Sequence, residues 1–183
     1  CMLVVSANET CNILGEAVAG TVDAFVEKMN QRAQELGCAN THFANTTGLT
    51  QSGHYSSAWD IYLITREAMK HDTFMTIVNT KAYTVPATNM TDKERELHST
   101  NALISNWRMT GYLYSGAQGI KTGSTDAAGL CLVSSAVRGS RTLISVVLGC
   151  EEVKTETGGT RVESFSETAR MFDWGFDNFT TRT

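Results

Sequence analysis

The chain lacks the sequence features of metal-binding, nucleic-acid-binding and membrane-spanning proteins. Its four histidines show neither an i,i+4 pair nor an H-E-x-x-H arrangement, so we expect no metal site: His42, His54, His71 and His98. The net charge is −4 and no run of Lys or Arg occurs, which argues against a nucleic-acid partner. No apolar run is long enough to span a bilayer, and no signal peptide is visible. Nothing in the sequence calls for a cofactor.

Proline and paired cysteines are also scarce. Pro86 is the single proline, so the connections are not stiffened by proline. The five cysteines are odd in number, show no C-x-x-C spacing and fit a disulfide framework poorly, which favours buried structural thiols: Cys1, Cys11, Cys38, Cys131 and Cys150. With 183 residues, 42% of them apolar and 19% charged, the sequence predicts one ordinary globular domain.

The first eighty or so residues are predicted to be mainly helical. Apolar residues recur at helical spacing in three stretches, 9–19, 22–36 and 58–70. In the first, Ile13, Leu14, Ala17 and Val18 share one face. Thr21 is placed to cap the second helix, and Ser56 or Ser57 the third. A loop rich in Asn, Thr and Gly separates the second and third helices.

The remainder, from about residue 81 to residue 183, is predicted to be rich in β-structure. Two weak strands, 83–85 and 96–100, precede a short strand at 120–124 and an alternating hairpin, 130–137 with 142–148. A turn-rich stretch, 151–160, leads to a last helix with Phe165, Phe172 and Phe176 on one stripe. The order indicates an α+β fold: a helical cluster packed on an antiparallel sheet and closed by a C-terminal helix.

Two short elements carry candidate chemistry. Ser6-Ala7-Asn8 precedes the first long helix, and Lys121-Thr122-Gly123 precedes the hairpin, followed at once by Ser124 and Thr125. Taken alone, the first is more typical of a helix N-cap and the second of a solvated strand end. Together they match the second and third elements of the set S-x-x-K, S-x-N and K-T-G.

The resemblance extends well beyond these two elements. Six further segments match the same family and occur in the family's own order: Gly15-Glu16-Ala17-Val18-Ala19-Gly20, Thr41-His42-Phe43-Ala44-Asn45, 54–60, Ser99-Thr100-Asn101, Gly119–Gly123 and Trp174-Gly175-Phe176. From Ser6 to about Phe176 the chain resembles the low-molecular-mass penicillin-binding proteins, which are serine-type D-alanyl-D-alanine carboxypeptidases with a β-lactamase-like fold.

The resemblance implies a role for each matched residue. A serine attacks the bond between two D-alanines of a peptidoglycan stem peptide and forms an acyl-enzyme, which water hydrolyses. Ser6 is expected to relay a proton to the leaving amine and Asn8 to hold a substrate amide. Lys121 is expected to supply positive charge and orient Ser6. Thr122 is expected to bind the terminal carboxylate, and Gly123, Ser124 and Thr125 to complete the substrate-binding strand. Arg161 either reaches the cleft as a carboxylate partner or is a solvated residue at a helix start.

The sequence departs from the family at its nucleophile. None of the six lysines has a serine three positions before it, so no S-x-x-K occurs. We therefore expect an incomplete catalytic domain that starts abruptly at Cys1. The missing S-x-x-K segment is expected to lie upstream in the same protein and to complete the site. Alone, the chain is expected to be inactive and poorly soluble. The resemblance also implies peptidoglycan stem peptides as substrates, β-lactams as inhibitors and a site outside the cytoplasm.

Two other functions stay open at this point. The missing S-x-x-K is compatible with a non-catalytic module that binds peptidoglycan termini or penicillin without cleaving a bond. A serine β-lactamase shares the same three elements but is disfavoured, because the sequence offers no E-x-x-x-N element to activate a deacylating water.

Overall fold

A computed structural model describes residues 1–156 and 158–180 of the chain. Five helices occupy the first 78 residues: α1 (Met2–Val5), α2 (Asn8–Ala19), α3 (Val22–Glu35), α4 (Ala58–Ala68) and α5 (Asp72–Val78). The predicted caps are present, since Thr21 Oγ1 accepts a hydrogen bond from Ala24 N at 3.1 Å and Ser57 Oγ one from Asp60 N at 3.2 Å. The three long helices predicted from periodicity are thereby confirmed.

The strands follow the helices in the chain. A two-stranded sheet pairs β1 (Ala82–Val85) with β2 (Arg95–His98). The main antiparallel sheet has the order β3-β4-β5, formed by Ala117–Thr125, Gly129–Arg138 and Arg141–Cys150. The predicted turn 151–160, of which Thr157 lies outside the described residues, instead contains a small hairpin of β6 (Glu152–Lys154) and β7 (Thr160–Val162). Strands of three residues are too short to show an alternating pattern in the sequence.

The C-terminal helix α6 (Glu163–Asn178) covers one face of the main sheet. Its predicted stripe, Phe165, Phe172 and Phe176, is buried against Leu132 and Ala136 of β4. A second, smaller core forms around α3 and α4 from Ala33, Cys38 and Leu63. The α+β architecture predicted from the sequence is confirmed.

The cysteines agree only in part with the expectation of buried thiols. Cys38 is buried, but Cys1 is exposed and Cys11, Cys131 and Cys150 are half-buried, all of them as free thiols. The expectation was wrong for these four, because cysteine composition carries no information on which face of an element a thiol occupies. Within the described part of the chain, no helix is both long and apolar enough to cross a membrane.

The apolar face of α2 is exposed rather than buried. Ile13 and Val18 are 61% and 66% exposed, and Leu14 is 48% exposed. The helix contacts α3 through its opposite side, where a Cβ on Gly15 would lie 3.0 Å from the ring of Phe25. The helical periodicity was correct, and the apolar stripe simply has no partner among the residues that the structure describes.

Candidate active site

The two candidate elements of the sequence meet in space. Lys121, on β3, donates a hydrogen bond from Nζ to Ser6 Oγ at 2.7 Å and another to the carbonyl of Thr122 at 2.6 Å. These residues are 115 positions apart, so the contact is created entirely by the fold. It joins the loop after α1 to the edge strand of the main sheet.

Ser6 occupies an unusual backbone conformation. Its φ of 60° and ψ of 40° place it in the left-handed region, and among the described residues it is the one non-glycine with positive φ. Such strained residues cluster at functional sites. Ser6 does not cap α2, since Ala7 holds the N-cap position and Asn8 is the first helical residue. The interpretation of Ser6 as a helix N-cap is therefore excluded, and Ser6 instead ends α1 as its C-cap residue.

Lys121 is partly desolvated where it reaches Ser6. Burial lowers the pKa of its ammonium group below the ordinary value, and the nearby Cys11 opposes this shift. In turn, burial raises the pKa of the Cys11 thiol while the charge of Lys121 acts to lower it. Cys11, on α2, was not singled out from the sequence as a neighbour of Lys121, because its distance from residue 121 in the chain hides the contact.

The regular pairing of β3 with β4 is interrupted just before Lys121, and two side-chain hydrogen bonds hold the backbone at this point. The pairing of β3 with β4 shifts register between Gln118 and Lys121. At this point the carbonyl of Gly119 accepts hydrogen bonds from Asn101 Nδ2 and Ser134 Oγ, each at 2.5 Å. Gly119 has a φ of 64°, and a Cβ there would lie 2.8 Å from Val78 Cγ2, so the position requires glycine.

The remaining residues of the K-T-G strand contact two other segments. Thr122 Oγ1 lies 2.6 Å from Thr100 Oγ1, and Thr125 Oγ1 accepts a hydrogen bond from Thr50 Oγ1 at 3.0 Å. Gly123 and Ser124 are exposed. Because β3 is an edge strand of the main sheet, its outer backbone groups are open to an extended ligand.

Among the described residues, Arg161 has no hydrogen bond or ion pair with Ser6, Lys121 or Thr122. Arg161 lies on β7 and forms an ion pair with Glu163, with Nη2 and Nε at 2.6 and 2.7 Å from the same carboxylate oxygen. It lines a separate groove of about 450 Å³ together with Tyr112 and Phe165. Of the two interpretations of Arg161, the structure therefore favours a solvated residue near a helix start.

Asn8 lies beside Ser6, at the start of α2, and is half-buried. Its side-chain amide has no hydrogen-bond partner among the described residues. No group of three metal-ligating side chains is found in the described ranges, 1–156 and 158–180. The polar groups near Lys121 are hydroxyls, the side-chain amide of Asn8 and the Cys11 thiol, a set that suits acyl transfer to a serine.

Sequence reasoning missed several residues that shape the site. The sequence places Thr100 and Asn101 in the resemblance and Asn101 as the cap of a short turn, and nothing in it assigns them to Thr122 and Gly119. Thr50 and Ser134 carried no signal at all, since a single hydroxyl in a loop or strand gives no indication of its tertiary partner.

A helical cluster packed on an antiparallel sheet and closed by a C-terminal helix is the fold of the solved penicillin-binding proteins and DD-peptidases that this chain is similar to. Within that class, the chain belongs to the D-alanyl-D-alanine carboxypeptidase family, whose sequence model matches residues 1–152. These are bacterial enzymes of the cell wall.

Individual relatives agree with this family assignment. The chain is 35% identical to D-alanyl-D-alanine carboxypeptidase DacF of Bacillus subtilis over 178 residues, covering 97% of this chain and 41% of DacF. The crystal structure of the D-alanyl-D-alanine carboxypeptidase from Mycobacterium tuberculosis superposes with a TM-score of 0.80 at 32% identity, covering 98% of this chain and 63% of that one. Penicillin-binding protein D2 of Listeria monocytogenes, bound to ampicillin, superposes with a TM-score of 0.74 at 31% identity, covering 96% of this chain and 64% of that one. The chain thus spans about two fifths of DacF.

Proposed function

We propose that the complete protein hydrolyses the terminal D-Ala-D-Ala bond of peptidoglycan stem peptides, outside the cytoplasm, through a serine acyl-enzyme. The observation that carries this proposal is the 2.7 Å hydrogen bond from Lys121 Nζ to Ser6 Oγ at the edge of the K-T-G strand. The nucleophile is assigned to an S-x-x-K segment that is not part of the 183 residues. The family membership and the names of the relatives support the same activity.

The polarity of the Ser6–Lys121 bond fits a proton relay. A protonated lysine can only donate hydrogen bonds, so Ser6 Oγ accepts from Lys121 and keeps its own proton for another acceptor. When the scissile C–N bond breaks, the departing D-alanine nitrogen needs one proton. Ser6 is proposed to supply it, with Lys121 stabilising the oxygen that remains. The lowered pKa of Lys121 makes proton return to Ser6 easier.

The edge of the main sheet is proposed to bind the substrate. An extended stem peptide can add to the outer edge of β3 through backbone hydrogen bonds, with Gly123 and Ser124 exposed along it. The side-chain amide of Asn8 is available to a substrate amide on the opposite side. A backbone N–H of β3 beyond Thr122 contributes to the oxyanion hole in this scheme, the second donor being the N–H of the nucleophile.

The reaction is proposed to proceed in two steps. The serine oxygen of S-x-x-K attacks the carbonyl carbon of the penultimate D-alanine while the lysine of that element takes its proton, and the terminal D-alanine leaves as a neutral amine. Water then cleaves the ester and restores the serine. A β-lactam would be opened by the same serine in place of the peptide. Ampicillin bound to the Listeria relative supports this expectation.

Covalent labelling with a fluorescent penicillin tests the proposal. The protein translated from the complete reading frame should take the label, and Lys121→Ala should reduce the labelling rate at least about 100-fold, since it removes a charge from the site. Lys154→Ala, on the exposed strand β6, is the matched control and should label at the normal rate. Absence of labelling in a folded, complete protein would refute the acyl-enzyme mechanism.

A non-catalytic module that binds peptidoglycan termini is the second candidate, and the absence of S-x-x-K from the 183 residues favours it. The two candidates differ in the reading frame upstream of the Cys1 codon. A frame with no S-x-x-K, together with reversible binding of a D-Ala-D-Ala peptide, would establish the binding module instead.

A further inference from the structure

A turn between α3 and α4, residues 45–51, reaches both elements of the candidate site. Thr46 Oγ1 donates a hydrogen bond to Asn12 Oδ1 on α2, the helix that begins at Asn8. Thr50 Oγ1 donates one to Thr125 Oγ1, the last residue of β3, at 3.0 Å. The turn 45–51 is therefore bonded at one end to the serine element and at the other to the K-T-G strand.

The side-chain amide of Asn45 gives this turn its shape. Its Oδ1 accepts from the backbone N–H groups of Thr47 and Gly48, at 3.1 and 2.8 Å, and from Thr47 Oγ1 at 3.2 Å. Its Nδ2 donates to the carbonyl of Leu49 and to Gln51 Oε1, each at 2.9 Å. Both ends of one amide are thus used inside the turn, which is how asparagine stabilises such segments.

The chain that enters the turn is fixed independently of the site. Asn30 of α3 forms two hydrogen bonds with the backbone of Phe43, at 2.7 and 2.8 Å. The backbone N–H of Ala44 donates to His54 Nδ1 at 3.1 Å, which ties the two flanks of the turn together. Because its base is held in this way, the turn can act as a support for the elements that it contacts.

Helix α2 is open on its apolar side and gains from such a support. Ile13 and Val18 are exposed, and the helix packs on α3 through the opposite side, at Gly15. Asn12 lies four residues after Asn8, so the two side chains share one face of α2. The hydrogen bond from the turn to Asn12 therefore acts on the face that carries the proposed substrate-binding amide.

We propose that Asn45 is a positioning residue for the proposed acyl transfer, and that the turn it organises sets the spacing between Asn8 on α2 and the K-T-G strand β3. The inference rests on the proposed carboxypeptidase function, in which the substrate lies between these two elements. The turn acts through Asn12 and Thr125. Since a misplacement of about 1 Å can lower a rate about 100-fold, two exposed hydrogen bonds can contribute more to turnover than to stability.

Substitutions at the two ends of the turn test this spacing role in the complete protein, with an acylated tripeptide ending in D-Ala-D-Ala as substrate. Thr46→Val and Thr50→Val each remove one hydroxyl and preserve the shape of the side chain, and each should lower kcat/KM about 10-fold. A bridge that is cut at one end no longer connects its two sides. The double variant should therefore also lose about 10-fold, and not the roughly 100-fold of two independent effects.

Three further variants separate positioning from stability. Thr46→Ser and Thr50→Ser keep the hydroxyl and should stay within about threefold of the unmodified kcat/KM. Asn45→Ala should reproduce the loss of the double variant, because the turn then lacks the side chain that shapes it. Thr76→Val, at an exposed position of α5, makes the same exchange away from the site and should leave kcat/KM unchanged. A purely structural role would lower the melting temperature and leave kcat/KM of the folded enzyme unaltered.

The outcomes distinguish this inference from the function on which it rests. If the Thr46 and Thr50 losses multiply, or if neither valine variant changes kcat/KM, the positioning role is wrong while the carboxypeptidase function stands. If the unmodified complete protein neither cleaves the peptide nor takes a penicillin label, the proposed function fails and the positioning role fails with it.

Discussion

The two side-chain hydrogen bonds to the Gly119 carbonyl, two residues before Lys121, lead to a quantitative prediction about the stability of the fold. The carbonyl of Gly119 accepts side-chain hydrogen bonds from Asn101 Nδ2 and Ser134 Oγ, and both side chains are buried, at 2% and 0% exposure. Ser134→Ala removes one donor while Asn101 still satisfies the carbonyl. We expect it to cost about 1 kcal/mol of the free energy of unfolding, the net value of one hydrogen bond.

Asn101→Ala should cost more, because Asn101 makes a second bond that nothing else can replace. Its Oδ1 accepts from the backbone N–H of Leu103 at 2.9 Å, and that donor is also buried. A buried donor left without a partner costs about 1–3 kcal/mol, so the total for this variant should be about 2–4 kcal/mol.

The double variant is the decisive measurement. With both donors removed, the buried Gly119 carbonyl loses both of its side-chain partners, so the loss should exceed the sum of the single losses by at least about 1 kcal/mol. Urea denaturation of the complete protein measures all three values. Thr76→Ala, at an exposed position of α5, combined with Ser134→Ala should be additive and serves as the control. If the losses of the Asn101 and Ser134 variants add within about 0.5 kcal/mol, the two side chains do not jointly satisfy the Gly119 carbonyl and the prediction is wrong.

Three further perturbations follow from the same contacts. Gly119→Ala should destabilise the protein by about 2–4 kcal/mol in urea, since the added methyl meets Val78 and the positive φ is strained. Lys121→Met should abolish penicillin labelling yet stabilise the fold by about 0.5–2 kcal/mol at pH 7. Because burial lowers the pKa of Lys121, the unfolded chain binds that proton more tightly, so the unmodified protein should gain stability as pH rises toward the ordinary value of 10.5, and the Met variant should lack this gain in pH-dependent melts. Ile13→Gln with Val18→Gln should leave the melting temperature of the 183-residue chain within about 2 °C, measured in dilute solution where the chain does not aggregate, because both side chains are exposed; a large drop would show that they are buried.

Much of the fold could be predicted because its signals are local. The helix α3 has a capping residue at Thr21 and an apolar period that continues to Leu36, and the β4–β5 hairpin alternates on both sides of Gly139. The short β6–β7 hairpin had no such period. The exposure of the α2 stripe could not be predicted either, since periodicity identifies an apolar face but does not identify what covers it.

The candidate site was predictable only as far as ordered motifs allow. The family resemblance placed Ser6 and Lys121 in one cleft, and the structure brings them within 2.7 Å. The support of Gly119 by Ser134 and the hydroxyl pair of Thr100 with Thr122 are tertiary contacts between distant residues. No local rule of composition or spacing encodes them.

One short segment is bonded to both the serine loop and the lysine strand of the candidate site. The backbone of Thr100 is bonded to Val4 of α1, its hydroxyl to Thr122, and the neighbouring Asn101 to Gly119. The serine loop and the lysine strand are therefore fixed to the same three-residue stretch, Ser99–Asn101, and not only to each other. Since a strained serine and a desolvated lysine are each unfavourable alone, this shared support is what keeps them 2.7 Å apart. In the proposed mechanism, the Ser6–Lys121 contact is thus positioned by these residues themselves, and the proposed S-x-x-K segment would complete a cleft whose two other walls are already in place.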